Sequence, residues 1–319
     1  MTEHENELAT FLLSIADDEF VLGHRLSDWT TQSPTFEEDL TLASMAQDEM
    51  GHGRLWYEAV VDRDLPVPDE LAPAIPGSTY DIDDLGLNRE PETRRNSILV
   101  EPKQVDVQRA ELRNEALRTE DGGMRRPSEE AVMFELLIAV TGVYHDAEHR
   151  ILELIREGDD EDLAGRADAI LNEESFHREH VEFWLDRLTS TEEGRTRLSE
   201  AFNEHLPNAA DLFAFPEEVV KPLVDDGVLA RSPVDVQDDW VEKVEDRLLG
   251  RPLDIEDETW DALFNPPEVN GREGEYTDEL EQLLFEVHTA ESGLTGEWAV
   301  HRYQGERPEM YASTTSGWE

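Results

Sequence analysis

The stretch SMAQDEMGHGRLWYEAV, residues 44–60, decides how this chain is read. Its Met45, Trp56 and Ala59 or Val60, with Leu42 just upstream, fall on one helical face. Glu49 and His52 interrupt that face three residues apart. Side chains at i and i+3 of a helix sit about one turn apart on the same side. A carboxylate set into an apolar seam is costly unless it is paired or bound to a metal ion. The pair therefore raises two readings, a metal claw or two ordinary polar residues, and the rest of the chain must choose between them.

Three further stretches carry seams of the same kind. Leu8, Leu12, Ile15, Glu19, Leu22, Leu26 and Trp29 step by four and three, which predicts a first helix over about 4–30, ending near TTQSPT. The opening stretch lies in a second helix over about 36–61. A third, over about 128–157, presents Phe134, Ile138, Thr141, His145, Glu148, Leu152 and Ile155. A fourth, over about 161–190, presents Leu163, Ala167, Ile170, Glu174, His177, Val181, Trp184 and Leu188. Strand signals are few and short. The expectation is an all-α chain: one ferritin-like four-helix bundle spanning 1–319, with extra C-terminal helices in 191–319, the last over about 276–290.

Glu174 and His177, in NEESFH, repeat the Glu-x-x-His spacing of Glu49 and His52. Two such helices, with one carboxylate from each of the other two, surround a pair of metal ions in ferritin-like bundles. Glu19 supplies one of those carboxylates. On the third helix, the turn near Asp159 sets the partner of Glu174 close to residue 144. Glu148 is the seam carboxylate within reach, and His145 is a substitute nitrogen ligand; Asp146 lies off the seam. The candidate metal ligands are thus Glu19, Glu49, His52, Glu148, Glu174 and His177, with His145 in place of Glu148 as the alternative. Two iron ions are the expected cofactors, and manganese suits the same donors. His24, His149, His180, His205, His288 and His301 lack a second ligand at claw spacing and read as ordinary histidines. Trp29, Trp56 and Trp184 read as core. Arg54 and Arg178, just past the claws, read either as solvated or as partners of the acids.

Composition bounds the rest. The chain has 319 residues and no cysteine, which removes disulfides, thiolate metal sites, iron–sulfur clusters and thiol nucleophiles. Asp plus Glu is 77 against 27 for Lys plus Arg, a net charge of −50, and Lys103, Lys221 and Lys243 are the three lysines. That surface excludes a duplex-binding footprint. The acid is spread along the whole chain and reads as halophilic adaptation, in which molar salt screens self-repulsion. No run approaches the roughly 18 apolar residues of a membrane span. The opening MTEHENELAT has no signal-peptide pattern. A soluble cytoplasmic protein is expected. Residues 63–95, rich in Pro, Gly and Asp, read as a long surface connection, and 103–130 as a polar surface insertion.

The run DDEFVLGHRLSDWTTQSPTFEEDLTLASMAQDEMGHGRLWYEA (17–59) resembles the ferritin-like subunits of the multicomponent phenylacetyl-CoA epoxidase. That family has a catalytic A-type subunit and a C-type subunit of the same fold, structural and with an eroded metal site. QDEMGHG and NEESFH resemble the A-type metal motifs; NSILVEP (96–102) and GREGEYTDELEQLLFEVHTAESGLTGEW (271–298) resemble the C-type subunit. The resemblance implies Glu19, Glu49, His52, Glu174 and His177 as iron ligands, and aerobic phenylacetate catabolism as the setting. It implies a monooxygenase reaction in which reduced di-iron and dioxygen form a ring epoxide on a CoA thioester. The implied partners are a sister ferritin-like subunit, small accessory subunits and an external flavin and iron–sulfur reductase. VTGVY sets Thr141 where the family has an inward carboxylate, so the resemblance supports either a metal-competent subunit or a structural one with a degenerate site. An iron-storage or peroxide-scavenging bundle is a third reading, less suited to a chain this long.

Overall fold

The computed structural model describes residues 4–30, 33–75, 79–103, 134–265 and 269–291. Among these are ten α-helices and no strand. The four long ones are α1 (Glu5–Trp29), α2 (Phe36–Asp62), α4 (Phe134–Arg156) and α5 (Glu161–Thr189). Between α2 and α4 lies the short α3 (Ile82–Leu87). After the bundle come α6 (Glu192–His205), α7 (Glu217–Asp225), α8 (Gln237–Leu249), α9 (Asp257–Ala262) and α10 (Asp278–Glu291).

Local chemistry sets the helix starts. The Thr35 side chain accepts a hydrogen bond from the Glu38 amide at the head of α2, and Glu37, Glu38 and Asp39 occupy its first turn. Asp160 does the same for the Leu163 amide at the head of α5. These caps satisfy amides that have no partner within the helix, and the acids suit the positive end of the dipole. Arg63 then forks onto both Asp160 oxygens at 2.7 Å, fastening the end of α2 to the start of α5.

The long helices pack as an all-α ferritin-like bundle: α1 runs along α2, α4 along α5, and α2 meets α5. α7 and α10 lie against α1, and α8 lies against α4. The seams predicted from sequence face inward, with Leu12, Leu26, Trp29, Met45, Trp56, Ile138 and Ile170 completely buried. Gly53 brings α1 and α2 together at the depth of Glu19. A Cβ there would meet the Ala16 carbonyl at 3.1 Å and the Glu19 Cβ at 3.2 Å.

The reading of 63–95 as a surface connection needs correction. It contains α3, and Arg89 and Arg94 are fully buried. Both reach Asp17 of α1, at 2.7 and 3.3 Å, where the Tyr57 hydroxyl also donates at 2.8 Å. The neighbouring Asp18 accepts from both terminal nitrogens of Arg272, at 3.1 and 2.6 Å, and from the Ser97 amide. Two adjacent carboxylates on α1 thus hold the segments around residues 89–97 and 272 to the bundle. Buried charges are stable only when paired and hydrogen-bonded in this way. The insertion read over 103–130 lies outside the described residues apart from Lys103. No helix among the described residues is long and apolar enough to cross a membrane.

Candidate metal centre

Each long helix delivers its seam interruption to one place in the bundle interior. α1 contributes Glu19, α2 Glu49 and His52, and α5 Glu174 and His177. From α4 come both His145 and Glu148. None of the seven is more than 5% exposed. His177 Nδ1 lies 2.7 Å from Glu174 and 3.1 Å from Glu49. His145 Nδ1 is 3.0 Å from Glu174, 3.5 Å from Glu148 and 3.7 Å from Glu49. His52 Nδ1 is 3.7 Å from Glu174 and 3.9 Å from Glu49.

These atoms converge without forming hydrogen bonds of acceptable direction. Both oxygens of Glu49, Glu148 and Glu174, one of Glu19, Nδ1 of His52 and His177, and both nitrogens of His145 lack a hydrogen-bond partner. Buried polar atoms are satisfied as a rule, so a concentration of orphaned lone pairs marks a place built around something else. The donor set, carboxylate and imidazole without sulfur, fits iron, manganese or zinc. Among the described residues, three overlapping groups have ligand atoms mutually within 4.8 Å: Glu49, His145, Glu174 and His177; Glu19, Glu49 and His52; and His52, Glu148 and Glu174.

Two residues outside the sequence-derived set orient the claws. His52 Nε2 meets Glu173 of α5 at 2.9 Å, and His177 Nε2 meets Asp48 of α2 at 3.4 Å. A carboxylate on Nε2 places the proton there and turns the Nδ1 lone pair inward. The clasp is reciprocal, each claw's histidine being held by the acid that precedes the other claw's glutamate. The signal was present in the sequence as the acidic doublets Asp48-Glu49 and Glu173-Glu174.

The electrostatics are those of a site short of positive charge. Burial, then Glu148 and Glu49, raise the Glu19 carboxyl well above the usual range. Burial and the neighbouring Glu174 carry Glu148 up to about 7. Burial opposes ionisation of Glu174, yet His145 and His177 outweigh it and hold that carboxyl well below its usual value. Burial likewise opposes charge on the imidazoles, but the carboxylates prevail: Glu174 and Glu49 lift His145 to about 10 and His177 to about 12.

α4 carries both residues that the sequence offered as alternatives, His145 and Glu148. Thr141 is buried and donates its hydroxyl to the Leu137 carbonyl at 2.8 Å, leaving the centre to the next turn. Asp146 is buried on the other side of α4, ion-paired to Arg247 and Lys243. His145 and Glu148 both enter the centre instead of one replacing the other. Of the remaining candidates, Arg54 pairs with Glu58 on the surface, while His180, with Trp184, closes on Glu38 at 2.6 Å. The side chains of His288 and His301 lie outside the described residues. A cavity of about 10 Å³ lies beside Glu19 and Glu148, with Tyr144 and Trp56 in its wall. It has room for one water-sized molecule.

Comparison with known proteins agrees with this architecture. The family described as Phenylacetic acid catabolic protein matches residues 1–298. The chain is also similar to the C-type subunit of the 1,2-phenylacetyl-CoA epoxidase of Escherichia coli (strain K12), with 23% identity over 296 residues covering 92% of this chain and 99% of that one. With a match over nearly its whole length, the chain belongs to the phenylacetic acid catabolic protein family.

Proposed function

We propose that this chain is a metal-holding subunit of a multicomponent oxygenase that converts phenylacetyl-CoA to a ring epoxide. The observation that supports this most is the convergence of seven buried donors, most with no hydrogen-bond partner, in a family member similar to an epoxidase subunit. Glu19, Glu49, His52, Glu148, Glu174, His177 and His145 would hold two iron ions, which when bound supply dioxygen activation and electron transfer. The chain's own part is to keep the donors in place and dry. Asp48 and Glu173 fix the imidazole tautomers, while Trp56, Ile15 and Ile151 line the small cavity beside Glu19 and Glu148 and limit it to a water-sized molecule. Without cysteine the chain holds no iron–sulfur cluster, so the electrons come from a separate flavin and iron–sulfur reductase. A sister ferritin-like subunit and small accessory subunits make up the rest of the complex. The acidic surface suits a high-salt interior.

A second reading, a non-catalytic subunit beside a catalytic sister, draws support from two observations. One is the similarity to the C-type epoxidase chain. The other is that a cavity of about 10 Å³ is far too small for a phenyl ring. The deciding experiment reconstitutes the complex with its sister subunits and reductase and measures oxygen incorporation into phenylacetyl-CoA. Loss of turnover in the Glu49→Ala, Glu174→Ala double variant, in an intact complex, is the result expected for a catalytic centre in this chain. Full turnover with those two substitutions assigns the chemistry to the sister subunit.

A further inference from the structure

Two Glu-x-x-His helices and one carboxylate from each of the other two give six ligands. Seven side chains converge here, and the additional one is His145. It is completely buried, neither ring nitrogen makes a hydrogen bond, and its Nδ1 faces Glu174 at 3.0 Å. The donors are also unevenly divided. Glu49, His145, Glu174 and His177 form a compact group of two nitrogens and two oxygens. Two ligands of one ion, each at 2.0–2.2 Å from it, are about 4.4 Å apart at most. The separations from the two imidazoles to Glu49 Oε1, 3.1 and 3.7 Å, and to the two oxygens of Glu174, 2.7 and 3.0 Å, lie inside that limit. Glu19, Glu49 and His52 make a second group, richer in oxygen. Of the seven donors, Glu19 and Glu148 line the small cavity, while Glu49, His52, His145, Glu174 and His177 do not.

From this we infer that the centre is two unequal cation sites, one closed and one open. The inference rests on the metal reading proposed above. Counting Glu49 in both groups, four protein donors complete the shell of an ion that takes four ligands, such as zinc(II) or cobalt(II), and leave it no open position, whereas three donors leave one. The second imidazole also strengthens the closed site toward later first-row ions. The closed site, built on His145, fills first and retains its ion. The open site, on Glu19 and His52 with Glu148 beside them, exchanges its ion. It faces the cavity, where a water-sized ligand has room to bind.

Cobalt(II) titration of the metal-free full-length chain tests this, because four-coordinate cobalt absorbs visible light far more strongly than six-coordinate cobalt. The first equivalent is expected to give the intense band and the second a weak one, with a chelator removing the second first. His145→Gln should abolish the intense band and weaken the first equivalent about tenfold or more. Glu148→Gln should weaken the second equivalent and leave the first intact. Circular dichroism checks that each variant is folded. Two equivalents of equal strength and identical spectrum, or a His145→Gln chain indistinguishable from wild type, would overturn the inference while leaving the metal reading standing. A wild-type chain that takes up no cobalt defeats the metal reading itself, and the inference with it.

Discussion

Metal uptake by this chain should expel protons in a number set by the buried cluster. In the metal-free protein near pH 7, His145 and His177 are protonated, lifted to about 10 and about 12. That makes two protons. Glu148, at about 7, carries part of another, and the Glu19 carboxyl and His52 are shifted in the same direction. All five groups must be unprotonated to bind cations, so filling both sites at pH 7 should release at least two protons. The sign follows directly: acid competes with metal, and the affinity rises with pH. With one proton worth about 1.4 kcal/mol per pH unit, the combined binding free energy should become more favourable by at least about 2.7 kcal/mol between pH 6 and pH 7. Calorimetric titration with zinc in two buffers of different ionisation enthalpy reads the proton count. Two or more protons support the arrangement described. Release of fewer than about two, or an affinity indifferent to pH, would refute it, because the carboxylates and imidazoles would not be sharing protons in the metal-free state.

Other perturbations have separate outcomes. Asp48→Asn and Glu173→Gln leave every ligand in place but loosen the Nε2 clasp, and each should weaken metal binding about 10- to 100-fold in equilibrium dialysis without altering the helical content. Arg272→Met leaves Asp18, already raised to about 6 by burial, without its guanidinium. Beyond a pH-independent loss of the guanidinium's bonds to the Ser14, Arg95 and Leu212 carbonyls, the folded-state Asp18 carboxyl rises further, so the variant loses additional stability above about pH 6, by up to about 2.7 kcal/mol between pH 6 and pH 8 in denaturant titrations. Gly142→Ala sets a Cβ 2.8 Å from the Val181 Cγ1 where α4 meets α5, and should cost roughly 1–3 kcal/mol of stability. Val181→Ala in the same chain should recover part of that loss, which a double-mutant cycle on thermal melts measures.

The seams of α1, α2 and α5 were legible because each is a long, regular alternation in which one or two charged residues stand out against apolar neighbours. Glu19, Glu49, His52, Glu174 and His177 were found that way, and the structure brings them together. On α4 the pattern reached His145 and Glu148 but offered them as alternatives. Both are seam positions one turn apart, and a helical face alone does not say how many donors a centre holds. Asp48 and Glu173 went unread because each lies next to a ligand, at a position that looks solvent-facing until the opposite claw is placed against it. Arg89, Arg94 and Arg272 were hidden for a related reason. They sit in Pro- and Gly-rich stretches without periodicity, and Asp17 and Asp18, which bury them, are more than seventy residues away in the chain. Sequence patterns report which face of a helix is inward; they do not report which distant charge will neutralise another.

The most direct measurement is the metal content of the purified chain. After anaerobic loading with iron(II) and removal of excess, elemental analysis should find two ions per wild-type chain, and a Glu49→Ala, Glu174→Ala chain of unchanged helicity should lose both. Equal iron in the two proteins would contradict the account, since it would place the metal somewhere other than between the two claws.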